Sequence, residues 1–264
     1  MSRTILVTGG GTGIGRAVAH HFADLGDEVI VTGRRTGPLE ETAAGRPGVR
    51  PLVCDHTDPH ALGALRAELP ARIDVLVNNA GGNTDLEAGA HAEVHAEVHA
   101  GGDTDGGANG GADGGIGLVA YARAFRANLE ANLLSAVLTT EAVADRLAAG
   151  GAVVHIGSIA ADQGAGSYGA AKAGLASWNV DLSRTLGPRD ITTNVVAPGY
   201  IADTDFFRDQ LTDERRERLV AASAVGRAGA PSDIAGTVAF LASPAARHIT
   251  GQVLNVNGGT RTTR

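Results

Sequence analysis

TGGGTGIG, residues 8–15, follows an apolar β-branched run, TILVT (4–8), and leads into an amphipathic stretch, GIGRAVAHHFADLG (13–26). A strand that runs through glycines into a helix suits a dinucleotide. The glycines allow a tight turn and let a pyrophosphate approach the backbone, and the helix N-terminus supplies N–H donors and a favourable dipole. Gly9, Gly11, Thr12, Gly13, Ile14 and Gly15 are therefore expected to line a cofactor. A glycine-rich turn alone also suits a flexible loop closing a βα unit. The strand before it, the helix after it and its place near the N-terminus favour the nucleotide.

Working outward, the same rhythm repeats. EVIVT (28–32), VRPLVCD (49–55), IDVLVNNAG (73–81), AVVHIGS (152–158), ITTNVVAPG (191–199) and QVLNVNGG (252–259) read as further strands. DPHALGALRAEL (58–69) and YGAAKAGLASWNVDLSRTL (168–186) read as helices between them. Strands alternating with helices mean βαβ units, a parallel sheet and ligands beyond the C-terminal strand ends.

One segment breaks the pattern. Residues 82–117 are dominated by glycine, alanine, aspartate and histidine. Such a composition cannot bury enough apolar surface to offset its ordering entropy. It reads as a low-complexity insertion inside one domain spanning 1–264, since the strand pattern resumes after it. Within it, HAEVHAEVHA (91–100) spaces His91, His95 and His99 four apart, on one face of a possible helix. HAEVH is not the zinc motif HExxH, because glutamate follows histidine by two positions and not one. No metal is expected. A flap near the cofactor cleft or a subunit edge is the preferred reading.

Composition bounds the rest. A formal net charge of -7 argues against a nucleic-acid surface and gives no polybasic membrane patch. Cys54 is the only cysteine, so neither an internal disulfide nor a four-cysteine zinc site is possible. MSRTILVTGG does not read as a signal peptide, and no stretch approaches a membrane span. A soluble, cytoplasmic protein is expected. Of the 22 Lys+Arg residues, one is lysine, Lys172, which leaves 21 arginines.

The second strand ends in VTGRR (31–35). An acidic residue there would bind the ribose 2′-OH of NAD. Instead Arg34 and Arg35 are present, and guanidinium pairs well with a 2′-phosphate. NADP(H) is the expected cofactor, with Arg34 favoured over Arg35.

The fifth strand ends at Ser158, and SIAADQGAGSYGAAK (158–172) follows. Tyr168 and Lys172 are four apart and share a helix face. An ammonium and a cationic oxidised nicotinamide would each favour tyrosinate, so the pKa of Tyr168 is expected to fall and suit acid/base work. Ser158 can hydrogen-bond the substrate oxygen. Lysine at 172, in a chain that otherwise uses arginine, points to a need for a compact ammonium that reaches both ribose hydroxyls and the tyrosine, so Tyr168 and Lys172 are also expected at the cofactor.

At this point the chain resembles the short-chain dehydrogenase/reductase family, its 3-oxoacyl-reductase-like branch in particular. The resemblance is carried by TGGGTGIG (8–15), Cys54–Asp55, NNAG (78–81), NLLSA (132–136), Ser158 with YGAAK (168–172), NVVAPGYIADT (194–204) and LNVNGG (254–259). It covers nearly the whole chain apart from the insertion. It implies an α/β fold: a single-domain Rossmann fold, doubly wound, with a seven-stranded parallel sheet and helices on both faces. It implies assembly as a homotetramer or homodimer through helix faces. By position it makes Tyr168 the acid/base, Lys172 its partner, Ser158 the carbonyl-orienting group and Asn132 the holder of a relay water. It also assigns Asp55, His56, Asn79, Ala80, Gly81, Pro198, Gly199, Ile201 and Thr204 to the cofactor, with Asp55 at the adenine, Asn79 near the adenosine ribose and Thr204 at the carboxamide.

Two departures stand out. Only nine residues separate Ser158 from Tyr168, about three fewer than is usual in the family, so Ser167 is a rival. Asn128 is likewise an alternative to Asn132. The reaction expected is reduction of a carbonyl by NADPH, or its reverse, on a small-molecule ketone or alcohol. A 3-oxoacyl or polyketide-like ketone is one guess by resemblance. A non-catalytic NADP(H) sensor is the alternative. Tyr200, Phe206 and Phe207 suggest an apolar part of the pocket, or else the packing of a short helix.

Overall fold

The computed structural model describes residues 2–84, 113–207 and 211–263. Seven strands, β1 (Thr4–Thr8), β2 (Glu28–Gly33), β3 (Val49–Val53), β4 (Ile73–Asn78), β5 (Leu147–Ile156), β6 (Thr192–Pro198) and β7 (Val253–Val256), form one sheet in the order β3-β2-β1-β4-β5-β6-β7. All pairings are parallel. The order reverses between β1 and β4, which opens a crevice at their C-terminal ends. This is the expected doubly wound Rossmann architecture.

The helices are α1 (Gly13–Asp24), α2 (Thr36–Ala43), α3 (Pro59–Glu68), α4 (Asp113–Leu129), α5 (Ser135–Val143), α6 (Ala160–Gln163), α7 (Gly166–Leu186), α8 (Asp213–Ala221) and α9 (Pro231–Leu241). Strands buried on both faces read as continuous apolar runs, and side chains alternate between the faces. Ile5 and Val7 of β1 join Phe22 of α1 and Ile234 and Val238 of α9 in one core. Leu6, between them, joins Leu62 and Leu65 of α3, Leu76 of β4 and Leu182 of α7 in the other.

The sequence places its strands well, with two differences. β5 begins five residues before its predicted start, because Leu147 pairs with Ile73 and the ladder resumes only at Ala152 with Val75. The extra residues form a bulge, with Gly150 at φ +78. α4 begins at Asp113, within the stretch read as insertion. His91, His95 and His99 lie outside the described residues.

α4 and α5 are joined by a π-helical segment, Glu130–Leu134, which contains Asn132. Such segments are uncommon and concentrate at functional sites. No helix among the described residues is long and apolar enough to cross a membrane.

Candidate active site

The glycine turn is built so tightly that side chains are excluded. A Cβ on Gly15 would lie 2.2 Å from the Gly9 carbonyl oxygen, and one on Gly9 would lie 2.9 Å from Ala80 Cα. Gly9 and Gly13 also have positive φ, at +63 and +50, which glycine adopts without steric cost. The turn is braced from β4. The Asn79 amide donates to the carbonyls of Thr8 and Gly9, both at 3.0 Å. The backbone N–H groups of Asn79 and Ala80 donate to Thr8 Oγ1 at 3.0 and 2.9 Å. The amide expected near the adenosine ribose thus holds the turn that faces it. Thr12 and Ile14 sit at the start of α1, where backbone N–H groups lack helical partners.

Arg34 and Arg35 are exposed at the end of β2. Arg35 pairs with Asp205 at 3.7 Å. Asp55 accepts from the N–H and hydroxyl of Thr57 at 2.9 and 2.7 Å. Those bonds, aided by the Arg34 charge, hold its carboxyl below the usual carboxylate range. His56 is buried between two hydroxyls, Thr32 Oγ1 at 2.7 Å and Thr139 Oγ1 at 2.8 Å. Burial brings its pKa down to about 4. Its ring ties β2 to α5.

On the far side of the crevice, Pro198 accepts from the Ile159 N–H at 3.1 Å, which ties β6 to the segment after Ser158. A Cβ on Gly199 would meet Asn257 Cβ at 2.9 Å, so this approach also demands glycine. Ile201 sends its side chain into the core and bridges to Gly229 through its backbone. Thr204 lies over the glycine turn, its Cγ2 3.3 Å from the position of a Cβ on Gly13. Asp203 before it takes a left-handed φ of +55, unusual outside glycine.

Tyr168 and Lys172 are both buried on α7, and the Lys172 ammonium stands 5.7 Å from the centre of the Tyr168 ring. Lys172 Nζ donates to the Ile156 carbonyl at 2.8 Å. Burial lowers its pKa to about 8. The Tyr168 phenol is hydrogen-bonded to Ser158. The expected lowering of its pKa is not what the protein's own groups produce. Burial pushes it up to about 12, and the Ser158 hydrogen bond only opposes that rise. The physical reason is that desolvation of the anion outweighs a lysine whose ammonium is directed at a backbone carbonyl.

The rival serine goes elsewhere. Ser167 is buried and accepts from Asn128 Nδ2 at 2.8 Å. Asn132 Nδ2 donates to the Gly82 carbonyl at 2.8 Å, and its Oδ1 accepts from the Gly82 N–H at 3.2 Å. Gly81 packs so closely that a Cβ there would lie 2.5 Å from Asn132 Oδ1. Asn128 Oδ1 accepts from the Thr84 N–H at 3.1 Å. The two asparagines together clamp the segment after β4 onto the helices.

One feature, His155, escaped the sequence reading, and a second, Phe206, was read only as a general apolar component. His155 is fully buried beside Trp178, with ring centroids 5.2 Å apart, and burial reinforced by the Lys172 charge takes its pKa to about 3. Phe206 packs on Tyr168 at 5.5 Å between ring centroids. The Phe206–Phe207 pair was a visible signal, but only its position against Tyr168 gives it meaning. Among the described residues no cluster of His, Cys, Asp or Glu could hold a metal ion.

Comparison with known proteins agrees with this architecture. The short chain dehydrogenase family model matches residues 3–99, and the model described as enoyl-(acyl carrier protein) reductase matches residues 114–261. An oxidoreductase of Mycobacterium tuberculosis is 34% identical over 257 residues, covering 97% of this chain and 96% of that protein. The 3-oxoacyl-(acyl-carrier-protein) reductase FabG of Escherichia coli is 34% identical over 266 residues, covering 96% and 95%. A solved short-chain dehydrogenase/reductase of Serratia marcescens superposes with a TM-score of 0.76 at 31% identity, covering 98% of this chain and 97% of that one. The chain belongs to the short-chain dehydrogenase/reductase family, oxidoreductases that act on carbonyl or alcohol groups with a nicotinamide cofactor.

Proposed function

We propose that this protein is an NADPH-dependent carbonyl reductase, working reversibly as an alcohol dehydrogenase, on a small-molecule ketone. The observation that carries the reading is the meeting of Ser158, Tyr168 and Lys172 at the C-terminal end of β5, on the same edge of the sheet as the glycine turn. The cofactor choice rests on two exposed arginines, Arg34 and Arg35, where an NAD enzyme would carry a carboxylate. The turn suits a pyrophosphate, because glycine at 9 and 15 lets it close tightly on itself and on Asn79 and Ala80, ahead of the helix N-terminus whose N–H groups would face the phosphates.

When bound, the nicotinamide supplies the hydride, which is the cofactor's own chemistry. The protein handles the proton. A Tyr168 pKa of about 12 keeps the phenol protonated at neutral pH, so it can donate to a carbonyl oxygen as negative charge develops there. Ser158 holds that oxygen and orients the phenol. The Lys172 cation stabilises the phenolate left behind, and its bond to Ile156 fixes its stem. Its remaining N–H donors are free to hold ribose hydroxyls. Asn132 and Asn128 shape the crevice by pinning Gly82 and Thr84. In the oxidative direction Tyr168 takes the alcohol's proton as a base, and a bound cationic nicotinamide would favour its phenolate.

A 3-oxoacyl thioester, the substrate class in the name of the Escherichia coli relative, and a polyketide-like ketone form the first arm of a screen. Self-association as a homotetramer, or as a homodimer, is supported by an apolar groove of about 300 Å³ lined by Leu129, Leu133, Leu134, Val137 and Trp178. Oxidation of NADPH, with NADH in parallel, over ketones, aldehydes and oxoacyl thioesters tests the reading. Turnover is expected with NADPH and lost in Tyr168→Phe, which should keep its NADPH affinity. NADPH binding without turnover of any substrate would replace the reductase with a sensor. A strong NADH preference would remove the role of Arg34.

A further inference from the structure

The chain holds nine aromatic residues of the Phe, Tyr and Trp types: five Phe, three Tyr and one Trp. Three of them line up beside a fourth, Tyr168, whose phenol the proposed mechanism uses. Phe206 lies 5.5 Å from Tyr168, with the rings tilted by 57°. Phe207 stands edge-on to Phe206 at 5.0 Å, and Tyr200 edge-on to Phe207 at 5.9 Å. The Arg215 guanidinium lies over Phe207 within this row, 5.2 Å from its centroid. In a chain this poor in aromatics, such a concentration stands apart from the two core clusters, which hold Phe22 and have Trp178 packed against one of them.

We propose that Phe206 is a specificity-determining residue that selects ketones carrying a planar aryl group next to the carbonyl. The proposal rests on the reductase reading above. A carbonyl oxygen within hydrogen-bond reach of Tyr168 and Ser158 places the carbon's substituents next to the phenol, on the ground that Phe206 borders. Tyr168 is only 7% exposed, so a substrate meets the ring of Phe206 as it reaches the hydroxyl. Phe206 is held by Phe207, and Phe207 by Tyr200 and Arg215, so the ring offers a set face and not a loose hydrophobic cover. Aromatic pairs at centroid distances of about 4.5–7 Å gain roughly 0.5–1.5 kcal/mol beyond area burial, a gain that a saturated ring of the same size does not collect.

The test compares acetophenone with cyclohexyl methyl ketone, which matches it in size but lacks the aromatic ring. The kcat/KM ratio of the two is measured with NADPH for wild type, Phe206→Leu and Phe206→Tyr. Leucine keeps an apolar cover and removes the ring face. Phe206→Leu should lower the aryl-to-cyclohexyl ratio by about three- to tenfold, Phe206→Tyr should keep it, and NADPH affinity should be unchanged in both. An unchanged ratio in Phe206→Leu, or an equal loss on both ketones, overturns the proposal. If wild type reduces neither ketone, the reductase reading is decided separately by the wider panel of ketones, aldehydes and oxoacyl thioesters. Calorimetric binding of the two ketones to the complex with NADP+ then decides on Phe206. An aryl preference abolished in Phe206→Leu supports its role, and no preference in wild type refutes it.

Discussion

Ser158 is hydrogen-bonded to Tyr168 across a segment of only nine intervening residues. The chain manages this with a single turn of helix, α6, followed by Gly164 and Gly166, both with left-handed φ at +69 and +55. α7 then starts at once and packs back on α6. If Ser158 orients the substrate oxygen, Ser158→Ala should lower kcat by about 10²-fold, the cost of removing one donor at a developing oxyanion. Ser167→Ala should reduce kcat far less, because that hydroxyl serves Asn128. Steady-state kinetics of the two variants decide between them.

The same short connection makes Gly169 a structural requirement. A Cβ there would sit 2.7 Å from the Ala160 carbonyl oxygen, which is backbone and cannot swing away. Gly169→Ala is expected to destabilise the fold by roughly 1–3 kcal/mol, the usual cost of overpacking. Urea unfolding measures it, and wild-type stability would show that α6 moves freely.

Lys172 offers an alkaline signature. Its folded pKa is about 8, below the ordinary lysine value of 10.5. A depressed pKa contributes stability that is full above the unfolded pKa and is lost as pH falls through the folded one. Between about pH 10.5 and 8 the unfolded chain binds the extra proton. The stability of wild type relative to Lys172→Met should therefore rise by about 3 kcal/mol from pH 8 to 10.5. As the chain has no other lysine, no second lysine side chain titrates in that window. A flat difference across that window would mean that Lys172 is solvated.

Arg35 is shared between two partners if NADPH binds as proposed. It pairs with Asp205 at 3.7 Å, both side chains being well exposed. A 2′-phosphate must compete with that carboxylate. Asp205→Asn should tighten NADPH binding by about twofold, in line with the small worth of exposed pairs, and leave NADH binding alone. Arg34→Ala should weaken NADPH by about tenfold, as expected for a lost charge-assisted contact. Fluorescence titration with the two cofactors reads both effects.

The groove beside Trp178 predicts assembly. Leu134 is 41% exposed at its edge. Leu134→Arg should shift the molar mass seen by light scattering toward the monomer. An unchanged mass would place the subunit contact elsewhere.

Much of this protein was legible before any tertiary information. The strand–glycine–helix opening, the seven strand positions and the Tyr168–Lys172 pair follow from local periodicity, since a spacing of four on a helix places two side chains on one face whatever surrounds them. The arginines at 34 and 35 are equally local, as they end a strand whose position the glycine turn dictates. Tertiary structure decided the rest. It brought Ser158 and not Ser167 to Tyr168, gave Ser167 to Asn128, and bound Asn132 to Gly82. It also made the protein's own effect on the Tyr168 pKa an upward one, because burial is a property of the packed molecule and no count of nearby charges in the sequence contains it. Phe206 against Tyr168 and Arg35 against Asp205 are contacts between segments far apart in the chain, which the fold alone places side by side.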